Sequence, residues 1–321
     1  MRIMMMAAAV AGVLGFAAGQ AQAQSLTIAA GQQGSQNYVA GAAIAKLLSE
    51  KGDFDVRVQS FGGSGQIMPL IDQGQVDLAP VVAPDVLPAY LGQGPFEGYP
   101  MKNLRILTTV TPTLVGIFVR EDSDIKTLAD LKGKRLTYGL TAQPTLLTNI
   151  NGILANGGLS PDDIVPVMVP SVPRGVDAFM TGSADAAFFA LRGGKAKEAD
   201  ATVGIRWLPL NTDEAARQRM RDVLPTSYVT TIEPTAAIPG LDGPTPVMAY
   251  DYTYVVGEHV SDDVVKKILT TLYDNAQTFA EDSGVFKDFT VQGMASDLDP
   301  LVYHDASIEF FKAHDMWPPK N

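Results

Sequence analysis

The sequence predicts an α/β fold of two doubly wound lobes with a hinged ligand cleft between them, and two observations carry that prediction. Apolar runs of strand length, glycine turns and segments of helical period follow one another over residues 26–91, and the same rhythm restarts at Ile125. Such alternation builds parallel sheets with helices on both faces, and ligands sit beyond the carboxyl ends of the strands. Between the two runs lie a Gly/Pro-rich loop at 92–100 and two apolar strand candidates, 104–110 and 114–119, the second crossing into a new lobe.

The first unit organises the rest. Leu26, Thr27 and Ile28 are strand formers, Gly31 and Gly34 permit a tight turn, and Ser35, Gln36 or Asn37 opens a helix. Val39, Ala43 and Leu47 form one apolar row of that helix, with Ala40, Ile44 and Leu48 beside it. At this corner the first N–H groups of the helix point outward at the positive end of its dipole, a place for a small anion. Gln32, Gln33, Ser35, Gln36 and Asn37 add donors and acceptors. An ordinary strand-to-helix corner is the plain alternative. A strand at 54–59, a turn at Gly62-Gly63-Ser64-Gly65, a short helix around Ile67, Leu70 and Ile71, a strand at 76–82 and a helical piece at 86–91 complete the first run. The glycine turn lacks the lysine of a phosphate-binding loop, which argues against a nucleotide.

The second run reads as a helical turn at 125–131, a strand at 135–138, a turn at 139–144 and a helix at 145–156 closed by Gly157-Gly158. A strand at 164–169, a helix at 172–181 and a strand at 184–190 follow. Arg192 comes directly after that last strand, which places it at the carboxyl end beside the cleft, where its planar fork suits a carboxylate or sulfonate. A solvated arginine at the start of the next helix is the alternative, and Arg174 is a weaker second candidate. Beyond it come a strand at 205–208, a helix at 213–223, a proline-rich stretch of loop and edge at 228–246, and a strand at 247–256. One long helix is expected after Ser261, with Val265, Ile268, Leu272, Ala276 and Phe279 on one face.

Composition excludes several functions. Residues 1–23 carry only Arg2 before a long apolar run ending in Ala21-Gln22-Ala23, the pattern of a cleaved secretory signal, which predicts a periplasmic location. The net charge of −11 argues against nucleic acid or an anionic membrane surface as partner. The chain has no cysteine, so thiol chemistry and disulfides are ruled out. His259, His304 and His314 show no metal-ligand spacing, and Ser64 is not in a nucleophile-elbow pattern, so no metal, cofactor or catalytic residue is expected and the chain is read as a non-enzyme. Hydrolase or lyase activity on the same scaffold is the minor alternative.

The segments GQQGSQNYVAGAAIAKLL, FGGSGQIMPLIDQGQVDLAPV, NLRILTTV, IKTLADLKGKRLTYG and DAFMTGSADAAFF, taken in order, resemble the TAXI family of solute receptors of tripartite ATP-independent periplasmic (TRAP) transporters. The closing YHDASIEFFKAHDMW is similar to that family's C-terminal helix. The resemblance implies a type II periplasmic-binding-protein fold, with lobe 1 from 24–112 plus 229–321 and lobe 2 from 113–228. It also implies a monomer that captures a small organic anion, of carboxylate or amino acid class, and delivers it to a TRAP permease; a ligand sensor for a membrane signalling protein would have the same pocket. By resemblance the first-lobe contacts are Gln33, Gly34, Ser35, Gln36 and Tyr38 with Gly63 and Ser64, and the second-lobe contacts lie in the turn holding Gln143 and Thr145; Arg192 joins them on the physical argument above. Two stretches depart from the family pattern: Val82-Ala83-Pro84, where a polar pair is usual, and Ala142-Gln143-Pro144-Thr145, where a glycine-rich turn is usual.

Overall fold

A computed structural model describes residues 24–319 apart from 32, 34, 142–145, 237 and 284–285. The expected signal segment, and Gly34, Gln143 and Thr145 among the expected contacts, lie outside the described residues. The first run folds as β1 (Gln24–Ala30), α1 (Gln36–Lys51), β2 (Phe54–Ser60), α2 (Ser64–Asp72), β3 (Leu78–Val82) and α3 (Ala83–Leu91). Then come β4 (Leu104–Arg120), β5 (Arg135–Gly139), α4 (Leu146–Asn156), β6 (Val165–Val169), α5 (Val172–Met180), β7 (Ala186–Ala190) and α6 (Gly194–Val203). The chain ends with β8 (Ile205–Trp207), α7 (Glu214–Val223), β9 (Ser227–Ile232), β10 (Thr245–Gly257), α8 (Asp262–Asp274), α9 (Ala276–Ser283) and α10 (Asp305–Ala313).

The strands share one mixed sheet in the order β2-β1-β3-β10-β4-β7-β5-β6, with β8 on β4 and β9 on β10. The β1–β2 and β1–β3 pairs are parallel, as are β5–β6 and β5–β7, which is the signature of strand–helix–strand units. Between these groups the long antiparallel pair β4 and β10 runs through both halves of the molecule. The apolar interior divides accordingly. One core gathers Ile28, Ile44, Ile67, Val81, Tyr254 and Phe311. Beyond the middle of the long strands, Ile117, Leu136, Ile150 and Met220 pack together on one side of the sheet, while Phe118, Phe179 and Trp207 pack on the other. Ile117 and Phe118 are adjacent in β4 and so face opposite ways, which is why this half needs helices on both faces. Phe118 meets Phe179 and Trp207 edge-on, with centroids 4.9 and 5.0 Å apart.

Three local expectations change. The two strands expected at 104–110 and 114–119 are one. Pro112 reads as a break, yet it pairs with Asp251 where the register shifts between Asp251 and Thr253, and an irregularity of that kind tolerates a residue with no N–H. The proline-rich stretch at 228–246, expected as loop and edge, does supply an edge strand: most of β9, paired with β10 from Thr245 to Tyr250. The long helix after Ser261 breaks at Asn275, whose side-chain amide donates to the Thr271 carbonyl at 2.8 Å in competition with the backbone ladder. Ser64 opens α2, with Gly63 as its extended N-cap, so it belongs to a helix and not to a turn.

Packing also fixes the first corner. A Cβ on Gly41 would lie 2.7 Å from the Ala30 Cβ, so glycine lets α1 lie close on β1. A Cβ on Gly31 would meet the Ser35 Oγ at 2.6 Å, the oxygen that caps the helix. We expect Phe118→Ala to destabilise the protein by about 3–5 kcal/mol in urea unfolding; a loss below about 1 kcal/mol would contradict the role given to this aromatic cluster.

Candidate functional site

The carboxyl ends of β1, β3, β5 and β7 all turn toward the region where β4 and β10 pass from one core to the other. At the end of β1, Ser35 is the N-cap of α1 and its Oγ accepts from the Tyr38 N–H at 3.1 Å. The Gln36 and Asn37 N–H groups precede the first intrahelical acceptors and stay available to a ligand. Gln33 and Gln36 are exposed, whereas Ser35 and Tyr38 are half-buried. At the end of β2, the Gln66 Oε1 accepts from the Gly62 N–H at 2.8 Å and holds the Gly62-Gly63 corner in shape.

A cavity of about 310 Å³ joins this corner to the other half. Gln36 lines it from α1, Arg192 and Lys197 from the end of β7 and from α6, and Lys287 from the segment after α9; Thr111 and Thr113 of β4 also reach it. Gln36 and Arg192, from the expected set, therefore meet at one cavity. Arg192 forms an ion pair with Asp288, which joins the two halves across the opening. Among the described residues neither Lys197 nor Lys287 has an ion-pair partner, so this cavity is locally cationic within a chain of net charge −11.

A second polar cluster lies beside α1 at the ends of β2 and β3. The Ser64 Oγ donates to the Asp85 Oδ2 at 2.8 Å, so its proton is already committed to a carboxylate. Tyr252 donates from its hydroxyl to the Asn37 Oδ1. Burial first, and then the charge of Asp85, raises the pKa of Tyr250 and of Tyr252. Tyr250 faces Asn149 of α4, a buried side chain whose Oδ1 has no partner. Sequence reasoning missed Asp85. In sequence it is an ordinary first-turn acid of a helix, and only the fold brings Ser64, Tyr250 and Tyr252 around it.

The histidines have structural work. His259 Nε2 lies 3.0 Å from Asp77 Oδ1, His304 caps α10 by accepting from the Ala306 N–H at 3.2 Å, and His314 stacks on Phe310. Among the described residues no group of three or more metal-ligating acids or histidines comes together, and no helix is long and apolar enough to cross a membrane.

A model of the NMT1-like family matches residues 28–314. The chain belongs to the NMT1-like family. Solved structures similar to this NMT1-like chain include a TctC solute-binding protein from Polaromonas, with TM-score 0.56 and 12% identity over 83% of this chain and 89% of that one. The periplasmic aliphatic sulphonate-binding protein SsuA from Escherichia coli gives TM-score 0.50 and 18% identity over 83% and 74%. XAC2383 from Xanthomonas citri, bound to chloride ion, gives 0.52 and 13% over 91% and 99%. At these identities the likeness fixes the fold: this NMT1-like chain is an α/β protein with the architecture of periplasmic binding proteins.

Desolvation raises the Asp85 carboxyl pKa above its ordinary value, with the Ser64 hydrogen bond acting against it. The folded state then holds that proton more tightly than the unfolded chain. Its stability falls as pH rises from about 3.9 through the raised value, and the loss is constant above it. Asp85→Asn, which keeps an oxygen for Ser64, should therefore melt above the parent near neutral pH, with the gap closing as pH falls toward about 4. An Asn variant melting below the parent near neutral pH would contradict this burial cost.

Proposed function

We propose that this NMT1-like chain is a periplasmic solute receptor, exported by its first 23 residues, that captures a small organic anion between two lobes. The lobes follow the expected division, 24–112 plus 229–321 and 113–228, except that β9 and the first half of β10, through Tyr250, pack with the second lobe; the hinge is where β4 and β10 pass between them. The observation that carries the reading is the cavity shared by Gln36, Arg192, Lys197 and Lys287, which faces cationic side chains toward the N-terminus of α1. In the closed form the acid group of the ligand accepts from the Gln36 and Asn37 N–H groups and takes Arg192 from Asp288. An exposed ion pair such as Arg192–Asp288 is worth only about 0–1 kcal/mol, so a bidentate ligand acid displaces it readily.

Carboxylates and sulfonates both suit this chemistry, and the sulphonate named for the E. coli neighbour makes sulfonates a first choice to test. Release to a TRAP permease, as the TAXI resemblance implies, completes the cycle.

A thermal-shift screen of unfolded and refolded protein against carboxylates, sulfonates and amino acids tests the reading. A ligand at 100 times its dissociation constant should stabilise the fold by roughly 2.7 kcal/mol. A folded sample that responds to no organic acid would overturn the reading. For the acid so found, Arg192→Ala and Lys287→Ala should each weaken binding at least about tenfold, roughly 1.4 kcal/mol. Unchanged affinity in both would remove this cavity from the site.

A further inference from the structure

Successive residues of β10 point to opposite faces, so Asp251 is turned away from Tyr250 and Tyr252 and from the cluster around Asp85. It lines a different cavity, of about 640 Å³, bounded by α7, β9 and residues 295–299. We propose that this cavity is a second ligand site, for a small zwitterion whose ammonium group is received by Asp251 and Thr226 and whose acid group is received by Arg217.

Unmet polar groups at the inner end carry the first half of that assignment. Asp251 is 4% exposed; its Oδ1 accepts from the Tyr228 hydroxyl at 3.0 Å, while its Oδ2 has no partner. Thr226, 5% exposed in the same wall, has an Oγ1 without a partner. A buried carboxylate oxygen and an unpartnered hydroxyl lining one cavity both accept, and an ammonium group, with three donors, answers them. Burial raises the Asp251 carboxyl pKa, with the Tyr228 and Ser296 hydroxyls acting against it, and no cation offsets the burial. Asp297 and Asp299 add negative charge at the mouth.

Charge on the opposite wall carries the second half. Arg217 and Arg221 line the cavity from α7. Arg221 is paired with Glu214, whereas Arg217 gives only its Nε–H to the Thr212 carbonyl and has no ion-pair partner among the described residues. Its two terminal nitrogens are left to face an acid. The segment that leads into the 295–299 wall is already set: Thr109 and Thr108 donate to the Gly293 and Met294 carbonyls at 2.6 and 2.9 Å, and the Tyr303 hydroxyl bridges the Ser296 N–H and carbonyl. A site preformed in this way loses little entropy on binding.

Calorimetric titration of the refolded chain with glycine, β-alanine, 4-aminobutanoate and 5-aminopentanoate, each against the acid and the amine of matching length, tests the proposal. At least one amino acid should bind at least about tenfold more tightly than both of its single-group analogues. Asp251→Asn and Arg217→Gln should each remove at least about tenfold of that affinity; Thr226→Val reads the same end of the site if the Asn variant does not fold. Absence of saturable binding across the series would overturn the proposal, as would an analogue that binds equally well. Loss of the same binding in Lys197→Ala would place the zwitterion in the first cavity and overturn it too.

Discussion

The structure depends on the antiparallel pairing of β4 with β10. Their ladder runs from Leu104 against Gly257 to Val115 against Met248, so each strand starts in one core and ends in the other. β3 pairs with β10 up to Val82 against Tyr252, and β9 takes over the same edge from Ser227 against Tyr250. On the other edge β7 pairs with β4 from Val115 onward. The parallel groups of the two halves therefore end close to the crossing, and their carboxyl ends surround it. Both cavities, the Asp85 cluster and the Arg192–Asp288 pair follow from that placement. The irregularity at Asp251 and Pro112 lies within that ladder, where it locally interrupts the pairing and bends the strands.

Electrostatics then decide what each cavity holds. A net charge of −11 repels an approaching anion at long range, but screening confines that field to about 8–10 Å at ordinary salt. Inside that distance the local groups prevail. In the first cavity these are Lys197 and Lys287, with Arg192 and the start of α1. Among the described residues several other cations are matched, as Arg135 is by Asp185 and Lys195 by Asp177. Lys197 and Lys287 differ from most other unpaired cations in that they line a cavity, where an acid group would complete the charge pattern.

How far the sequence foretells this molecule differs by the range of the contacts involved. The strand–turn–helix units are legible because apolar period and glycine turns act within a few residues, as at Gly31 and Gly41. The place of Arg192 is legible for the same reason, since it follows a strand directly. Its partner Asp288 is not, because the pair joins distant segments. Pro112 misleads for a related reason: alone it reads as a strand end, and only its pairing with Asp251 shows how the ladder absorbs it. In sequence Ser64 reads as free to meet a ligand, whereas in the fold its hydroxyl donates to Asp85 from another helix. Gln36 and Arg192 share a cavity, Ser35 is spent on capping α1, and Gly63 shapes the start of α2. Each of these roles is a tertiary fact that local pattern does not carry.

The central claim is that the two halves close on an organic acid about the β4–β10 crossing, and a distance across the cleft tests it most directly. The chain has no cysteine, so two introduced ones, at the exposed Gln59 beside the end of β2 and the exposed Met168 beside the end of β6, take spin labels cleanly. Pulsed electron resonance should show the label separation shift to shorter distances when an organic acid that raises the melting temperature is added. A distribution unchanged by such an acid would mean that binding does not close the halves, and would contradict the account.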